Sequence, residues 1–459
     1  MCAASAQSLK PFSEPPKMKT FKLDPEMELR FEVAANEEAL LKLTHAPNEH
    51  AEVFGMELAS DRIYPFPAGS KAAVWTWHGC HVQLEDCKEV YPHKWEDLEN
   101  PMQKYAGIHL RLEEMRRQAG ERNEKGPRVM ICGPQNSGKN SLCRILLNYG
   151  TRMGKCMVYA DLDPAMNDIV PGSVAAVAVV QPISIEDKFS LLAPLAYYVG
   201  ETDCTANADL YAQMMAELGK AVQQRALAAG NEELKHGGVI INTSGLVAEK
   251  NVELLIKAIQ DFDVNVIYIM DDEKLTATLN AKFKPQPTAS EMTNQNGTPL
   301  HIEKIVRSGG VVTRSQEVRK QELSWLVKEY FYGSRSQIGV GMALNPHRIT
   351  LSFSDIKIVK IGGHKVHLYL LPAGASSAVD PCQVTKVDPS EQLQHRLGGL
   401  SFAKTEEELK SSNIVGLVWI QSVDMAAQQL TLLIPSPVSS PDQLPGTFLL
   451  IGSMVWLDS

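Results

Sequence analysis

The sequence lacks the features that mark exported or membrane-embedded chains. Its eight cysteines are scattered. They form no C-x-x-C pair, which argues against a disulfide scaffold and is typical of reduced thiols in the cytosol or nucleus. No run approaches the roughly eighteen consecutive apolar residues of a membrane span. The start, MCAASAQSLKPFSEPPKMK, has no basic segment followed by an apolar one. We therefore expect neither export nor a membrane partner.

An excess of positive charge is also missing, since 54 acidic side chains stand against 45 basic ones and the net charge is -9. Such a surface as a whole repels phosphate polymers, so any nucleic-acid contact must come from a local basic site. The 459 residues, 44% hydrophobic and 22% charged, indicate a globular protein of about two to four domains.

The pattern along the chain predicts three folded parts after a polar, proline-containing and disordered tail at residues 1–17. Residues 18–108 contain short alternating runs, such as LRFEV at 29–33 and AVWTWHGCHVQLE at 73–85, which predict a small antiparallel β domain. A charged, helix-like linker, LRLEEMRRQAGERNEKGPR, follows and ends in Gly-Pro.

Within residues 109–333, apolar runs alternate with amphipathic helical segments, which is typical of a mostly parallel sheet covered on both faces. β-type runs return in residues 334–459. We thus predict a multidomain chain, with a central α/β P-loop, kinase-like domain between an N-terminal β-sandwich and a C-terminal mixed, mainly β domain. The predicted C-terminal strands are 348–355, 356–362, 365–372, 414–421, 430–435 and 448–457.

The strongest motif is GPQNSGKNSLCRILLNYG at 133–150, which places Gly133, Gly138 and Lys139 in G-x-x-x-x-G-K spacing. It directly follows a predicted buried strand, VMIC, and opens a predicted helix. Glycines let the backbone approach a polyphosphate, the helix N-terminus attracts negative charge, and lysine reaches the outer phosphates. A plain glycine turn is the alternative to this predicted nucleotide site.

Asn140 stands where such loops usually offer Ser or Thr to a magnesium ion. Its amide oxygen is a weaker neutral ligand on a longer stem, which makes Asn140 a weak Mg²⁺ candidate. Ser141 cannot simply substitute, because the next helical position is rotated by roughly 100°. Nucleotide binding could therefore survive while metal-assisted transfer is impaired.

Two further segments carry candidate chemistry. In DLDPAMN, Asp161 and Asp163 are two residues apart on a predicted strand end and should share one face, pointing toward the loop. In RSGGVVTRSQEVRK, Arg314 and Arg319 follow a Gly pair, as in a lid that folds cations over a phosphoryl group. The alternatives are a solvated acidic strand end and an exposed basic helix.

Together, ELRFEV, AVWTWHGC, GPRVMICGP, CRILLNYG, INTSG, RSGGVV and EYFYG resemble the Clp family of pre-mRNA cleavage complex II subunits and polynucleotide 5'-hydroxyl kinases. The likeness extends from about residue 20 to the C-terminus. It implies ATP binding, a nuclear location, other cleavage-complex subunits as partners and, in some lineages, the tRNA splicing endonuclease.

The resemblance also implies roles for individual residues. Asp163 matches the carboxylate that orients or deprotonates an RNA 5'-hydroxyl, and Arg314 and Arg319 match the lid arginines. From sequence alone, the N-terminal residues Glu28 and Lys71 would be surface ion-pair partners. The implied nucleotide-binding residues are Glu28, Lys71, Asn136, Ser137, Gly138, Lys139, Asn140 and Ser141.

The sequence departs from the family where the chemistry would occur. Besides Asn140, it has Pro164, Ala165 and Met166 where kinase members have Val-Gly-Gln, and Leu246 where they have an RNA-stacking Trp. Loss of one stacked base costs roughly 1 to 3 kcal/mol, so RNA contact should be weak or indirect.

These departures favour an ATP-binding subunit of the cleavage and polyadenylation machinery that is required for pre-mRNA cleavage and has reduced or absent kinase chemistry. Lys139, Asp163, Arg314 and Arg319 would then be vestigial catalytic residues. The alternative is an active RNA 5'-hydroxyl kinase, acting in tRNA splicing and mRNA 3'-end processing, in which the same residues perform catalysis. A general P-loop ATPase or GTPase would leave the matches in both flanking domains unexplained.

Overall fold

The computed structural model divides the chain into two compact units, Met1–Glu99 and Asn100–Ser459. The structure describes residues 18–34, 37–44, 48–85, 87, 89–95, 100–185, 189, 194–228, 230–245, 251–284, 292–333, 344–362, 382–438 and 443–457. The predicted tail at 1–17, the predicted strand at 365–372 and Leu246 lie outside the described residues. Among the described residues, no helix is long and apolar enough to cross a membrane.

The first unit is a β-sandwich of short strands. One sheet has the order β1-β8-β3-β6 and the other β5-β4-β7-β2-β9, in which the strands are β1 (Met18–Leu23), β2 (Met27–Glu32), β3 (Ala39–Leu43), β4 (Glu52–Val53), β5 (Met56–Glu57), β6 (Ile63–Phe66), β7 (Lys71–Thr76), β8 (Cys80–Glu85) and β9 (Glu89–Lys94). The Phe31 and Phe66 rings meet edge to face at 4.9 Å and join the two sheets.

The prediction of one alternating run at 73–85 is wrong in one respect. It forms two strands, β7 and β8, which belong to different sheets. Gly79 interrupts the run with a φ of +91°, a conformation that side chains disfavour, and the chain turns there.

The first part of the second unit is a central sheet with helices packed around it. Its strands are β10 (Arg128–Cys132), β11 (Met157–Asp161), β12 (Ser173–Val179), β13 (Leu195–Tyr198), β14 (Val239–Asn242), β15 (Val266–Met270) and β16 (His301–Ile305). Its helices are α1 (Pro101–Arg122), α2 (Lys139–Arg152), α3 (Ala208–Ala221), α4 (Glu232–Gly237), α5 (Val252–Asp261), α6 (Glu273–Lys282) and α7 (Gln316–Tyr332).

The order of the central sheet is β13-β12-β11-β14-β10-β15-β16. Strands β11, β14, β10, β15 and β16 run parallel, and β12 and β13 add an antiparallel edge. Every residue of β10, β11, β14 and β15 is buried, as the continuous apolar runs predicted. The helical part of the predicted charged linker lies within α1, which begins at Pro101, ends at Arg122 and belongs to the second unit.

The C-terminal part of this unit is a mainly antiparallel sheet with the order β17-β22-β21-β20-β23-β18-β19. Only the β18–β23 pairing among its described strands is parallel. The strands are β17 (His347–Ser352), β18 (Lys357–Ile361), β19 (Val384–Lys386), β20 (Arg396–Ser401), β21 (Ile414–Asp424), β22 (Gln429–Ile434) and β23 (Phe448–Val455). The predicted fold class is confirmed.

One hydrophobic core continues from the central sheet into the C-terminal sheet. Two tyrosines cross this junction. Tyr198 in β13 donates a hydrogen bond from its hydroxyl to the Leu397 carbonyl at 2.7 Å, and Tyr330 in α7 accepts one from the Leu417 N–H at 3.0 Å. The two domains are therefore packed as one body, which bears on α7 below.

Candidate nucleotide-binding site

The phosphate loop connects β10 to α2, where the backbone leaves no space for two side chains. Gly133 has a φ of +141°, and a Cβ there would lie 2.6 Å from the Met270 carbonyl oxygen. Gly138 has a φ of +93°, and its Cβ would lie 3.0 Å from the Val311 Cγ2. Both positions require glycine, so the loop keeps the bare backbone that a polyphosphate can approach closely.

Lys139 begins α2 and is only 6% exposed. Its Nζ donates hydrogen bonds to the carbonyl oxygens of Gly133 at 3.0 Å and Pro134 at 2.8 Å. Burial lowers the pKa of Lys139, and the nearby Asp163 carboxylate offsets part of that fall. A buried cation is costly unless anions surround it, so the site favours a negatively charged ligand.

The other predicted loop residues lie at the start of α2, whose N-terminus carries partial positive charge. Asn136 adopts the left-handed conformation with a φ of +57°. The Ser137 hydroxyl donates to the Pro134 carbonyl at 2.8 Å. Asn140 and Ser141 are both partly exposed in the first turn of the helix. The loop thus meets the steric and electrostatic requirements for a triphosphate.

The prediction that Asp161 and Asp163 share a strand face is wrong, because β11 ends at Asp161. Asp161 is fully buried, and its Oδ1 accepts hydrogen bonds from Asn242 Nδ2 at 2.9 Å and from the Asp163 N–H at 3.0 Å. Burial and the carboxylates of Asp163 and Asp168 raise the pKa of Asp161 well above its usual value. Asp161 therefore supports the turn that carries Asp163.

Asp163 lies in that turn and faces the loop lysine. Burial raises its pKa, and the charges of Lys139 and Arg319 offset part of the rise. Its Oδ1 accepts a hydrogen bond from the Ala165 N–H at 3.2 Å. The charges of Asp163, Lys139 and Arg319 thus act on one another, and their catalytic roles stay a prediction.

Asn167 organises the same turn and was not identified from the sequence. It is fully buried, and its Nδ2 donates to the carbonyls of Asp161 and Ser173, each at 3.0 Å. Its Oδ1 accepts from the N–H groups of Ile169 and Val170, each at 2.9 Å. Nothing in the local pattern distinguishes this asparagine from an ordinary turn residue. Asn242 could have been found from the sequence, because it ends a buried apolar run. Polar residues at the carboxyl ends of parallel strands lie where such sheets bind their ligands.

The two lid arginines have different partners. Arg319 in α7 donates from Nη2 to Asn136 Oδ1 at 2.9 Å and so contacts the phosphate loop directly. Arg314 precedes the helix, is exposed, and forms an ion pair through Nε with Glu322 Oε1 at 3.0 Å. Only Arg319 among this pair is held against the loop by a described contact.

Glu28 and Lys71 belong to the first unit, and each has a local ion-pair partner. Glu28 is buried in β2, where Arg30 Nη2 lies 2.5 Å from its Oε1. Lys71 in β7 pairs with Glu32 at 2.8 Å across the β2–β7 ladder. The expected surface ion pair holds for Lys71 but not for Glu28, whose ion pair is buried, and the nucleotide contacts implied by the resemblance stay a prediction.

The candidate magnesium ligand at this site is the Asn140 amide. No group of three or more His, Cys, Asp or Glu side chains that could hold an ion occurs in the described part of the chain. Magnesium bound beside phosphates needs only one or two protein oxygens, but the position normally given to a hydroxyl is Asn140. The donor set therefore fits ATP better than it fits Mg²⁺.

Family models match the chain in all three parts. Residues 22–119 match the N-terminal beta-sandwich domain of polyadenylation factor, and residues 133–333 match the mRNA cleavage and polyadenylation factor CLP1 P-loop. Residues 344–458 match the pre-mRNA cleavage complex II protein Clp1. The chain belongs to the Clp1 family.

Relatives of this Clp1-family chain are similar along nearly their whole length. The polyribonucleotide 5'-hydroxyl-kinase Clp1 of Homo sapiens is 35% identical over 442 residues, covering 95% of this chain and 96% of that protein. The Aedes aegypti protein CLP1 homolog is 34% identical over 442 residues, covering 96% and 97%.

A solved Clp1p–Pcf11p complex has the same fold. It aligns with a TM-score of 0.79 and 22% identity over 98% of this chain and 100% of that one. A second structure describes an extended Pcf11p–Clp1p interface and the basis of ATP loss in a point mutant, with a TM-score of 0.78 and 22% identity over 97% of this chain and 100% of that one.

Proposed function

We propose that this chain binds ATP as a structural element of the pre-mRNA 3'-end cleavage and polyadenylation machinery, is required there for cleavage, and has reduced or absent kinase chemistry. Membership of the Clp1 family supports the role in the cleavage complex. Other subunits of that complex, of which Pcf11p is an example in a relative, would be its partners, in the nucleus.

One observation carries this proposal: the groups that grip a triphosphate are complete, whereas the expected magnesium ligand and the residues after the Asp163 carboxylate are replaced. Gly133 and Gly138 admit no side chain, and Lys139 is buried at the helix N-terminus. Asn140 stands at the magnesium position, and Pro164 and Met166 follow in the acidic turn. Mg²⁺, for which Asn140 is a weak ligand, is not required for the proposed holding of ATP.

A thermal-shift titration with ATP tests the binding. A ligand that binds only the folded state stabilises it by about 2.7 kcal/mol at a hundred times its dissociation constant. We expect a concentration-dependent rise in melting temperature that disappears in Lys139→Met. Absence of any shift in the unaltered protein would overturn the proposal.

Active RNA 5'-hydroxyl kinase is the second candidate function, favoured by the clustering of Asp163, Lys139 and Arg319 and by the name of the Homo sapiens relative. Asp163 would take the hydroxyl proton while the cations stabilise the transferring phosphoryl group. Labelled ATP and a 5'-hydroxyl oligoribonucleotide distinguish the two functions. Transfer abolished by Lys139→Ala supports the kinase, whereas no transfer, partly rescued by Asn140→Ser with Leu246→Trp, supports structural ATP. A role with the tRNA splicing endonuclease belongs to the kinase alternative.

A further inference from the structure

Helix α7 (Gln316–Tyr332) contacts both the phosphate loop and the C-terminal β sheet. Its burial is uneven: Gln316, Glu317 and Val318 are exposed in its first turn, whereas Leu326, Val327 and Phe331 lie in the core. The helix is therefore anchored at its C-terminal half and projects its N-terminal half toward the loop.

The N-terminal half is attached to the phosphate loop by few contacts. Arg319 donates to Asn136 Oδ1 at 2.9 Å, and the segment just before the helix places Val311 against Gly138. Ser315 caps the helix by accepting from the Val318 N–H at 3.3 Å. A change at the loop thus acts directly on this end of α7.

The C-terminal half is attached to the C-terminal domain by several contacts. Ser324 Oγ accepts from Trp456 Nε1 at 3.1 Å, and the Phe331 ring stacks on Trp456 with centroids 5.9 Å apart. Tyr330 OH accepts from the Leu417 N–H at 3.0 Å. Arg319 and Tyr330 are eleven residues apart in one helix, or roughly 16 Å along its axis.

We infer that α7 couples ATP in the phosphate loop to the C-terminal β domain, so that ATP tightens the Tyr330–Leu417 and Trp456 contacts. This inference rests on the proposed ATP binding. An α-helix is stiff over this length, and the first turn of α7 is exposed whereas its core end is buried. A ligand that orders Arg319 and Val311 therefore restricts the whole helix, and the coupling must be reciprocal.

Amide hydrogen exchange at Leu417 tests the forward direction, because that N–H donates to Tyr330. In the full chain with saturating ATP we expect exchange at Leu417 to slow by about fivefold or more, the lower end of typical allosteric coupling. In Arg319→Ala, studied at ATP concentrations that saturate this variant, the slowing should be lost. Unchanged Leu417 exchange in the ATP-bound unaltered protein would overturn the inference.

Reciprocity supplies a matched pair of variants. Tyr330→Phe removes the hydroxyl that accepts a hydrogen bond from the Leu417 N–H. Tyr198→Phe removes the hydroxyl that donates a hydrogen bond to the Leu397 carbonyl. Both join the central and C-terminal domains, but only Tyr330 is on α7. We expect Tyr330→Phe to weaken ATP binding by about fivefold, within the usual range of coupling, and Tyr198→Phe to leave it within about twofold.

The outcomes separate the two proposals. Equal loss of ATP affinity in Tyr330→Phe and Tyr198→Phe would mean that general destabilisation is responsible, and it would refute coupling through α7. Tight ATP binding with no response at Leu417 would refute the coupling while leaving ATP binding intact. Failure of the unaltered protein to bind ATP would refute the proposed function, and the coupling with it.

Discussion

Two parts of this site, the cradle and the substrate edge, differ in how far their residues fit the chemistry of phosphate transfer. We define the cradle as Gly133 to Lys139 and the substrate edge as Asn140 together with the turn 161–168. The cradle has the glycines that its sterics demand and a buried lysine. The substrate edge has an amide at the metal position and proline after its carboxylate. Holding a nucleotide and transferring its phosphate depend on different groups and can be lost separately.

The substrate edge is nevertheless well ordered. Asn167 satisfies four backbone groups of the turn, and Asn242 anchors Asp161. An edge that had simply decayed would not keep buried polar groups so fully paired, because each unpaired group costs about 1 to 3 kcal/mol. The turn that carries Asp163 is therefore a well-paired scaffold.

Asn167→Ala should have the largest effect, because it leaves four backbone polar groups without their partner. We expect a loss of about 4 kcal/mol in the free energy of unfolding, measured by urea denaturation. Asn231, which is exposed and caps α4 without a side-chain hydrogen bond, provides the matched control. Asn231→Ala should cost no more than about 0.5 kcal/mol. A similar loss in both variants would show that the Asn167 hydrogen bonds do not stabilise the turn.

Lys139→Met should act mainly on the cradle, since it removes the ammonium that binds phosphate. The ammonium supplies charge-assisted hydrogen bonds to phosphate, so we expect at least about a hundredfold weaker ATP binding by calorimetry, or roughly 2.7 kcal/mol. Because the ammonium also offsets the charge of the Asp163 carboxylate and binds two loop carbonyls, its removal should make the ligand-free protein less stable as well. ATP affinity within a few-fold of the unaltered value would show that the lysine does not hold the phosphates.

Asp263 lies at the end of the central sheet away from the phosphate loop. A substitution there should change the stability of the fold without changing the affinity for ATP. Burial would raise its pKa, but hydrogen bonds from Asn294 and Thr298 and the charge of Arg128 outweigh it, and the pKa is lowered. A lowered carboxylate pKa contributes stability above the unfolded value, about 3.9, which is lost as pH falls through the folded value.

Asp263→Asn should therefore lower the free energy of unfolding at pH 7, and the difference should close as the pH falls below about 4. Denaturation at several pH values measures it. ATP affinity at pH 7 should stay unchanged. A stability difference that is constant with pH would contradict the assigned ionisation.

Asn140→Ser should have the smallest effect, and it restores a hydroxyl to the substrate edge. A hydroxyl at this position is a better magnesium ligand than an amide. We expect Mg²⁺ to improve ATP binding by about threefold more in this variant than in the unaltered chain, measured by calorimetry with and without the ion. Ser141→Ala is the control. Equal Mg²⁺ dependence in all three proteins would show that Asn140 does not limit the metal site.

Sequence patterns predicted most of the fold and the cradle because both depend on local signals. Continuous apolar strands, helical periodicity and the glycine–lysine spacing locate β10, the loop and α2. The break at Gly79 was missed because alternation continues on both sides of it. Asp163 was predicted to lie on a strand because the two-residue spacing from Asp161 does not show where the strand ends.

The remainder of the site depends on contacts between distant residues. Asn136 and Arg319 are 183 positions apart, and Asn242 is 81 positions from Asp161. No spacing rule links such pairs, since only the folded sheet and the return of α7 bring them together. Buried polar residues such as Asn167 look like turn residues until their partners are known.

The most direct test of a retained cradle beside an altered substrate edge combines equilibrium ATP binding with γ-phosphate transfer to a 5'-hydroxyl oligoribonucleotide, using one preparation of protein. We predict saturable ATP binding that Lys139→Met removes, with no phosphate transfer above the level of Asp163→Asn. Transfer that is robust in the unaltered protein and abolished by Asp163→Asn would contradict this prediction.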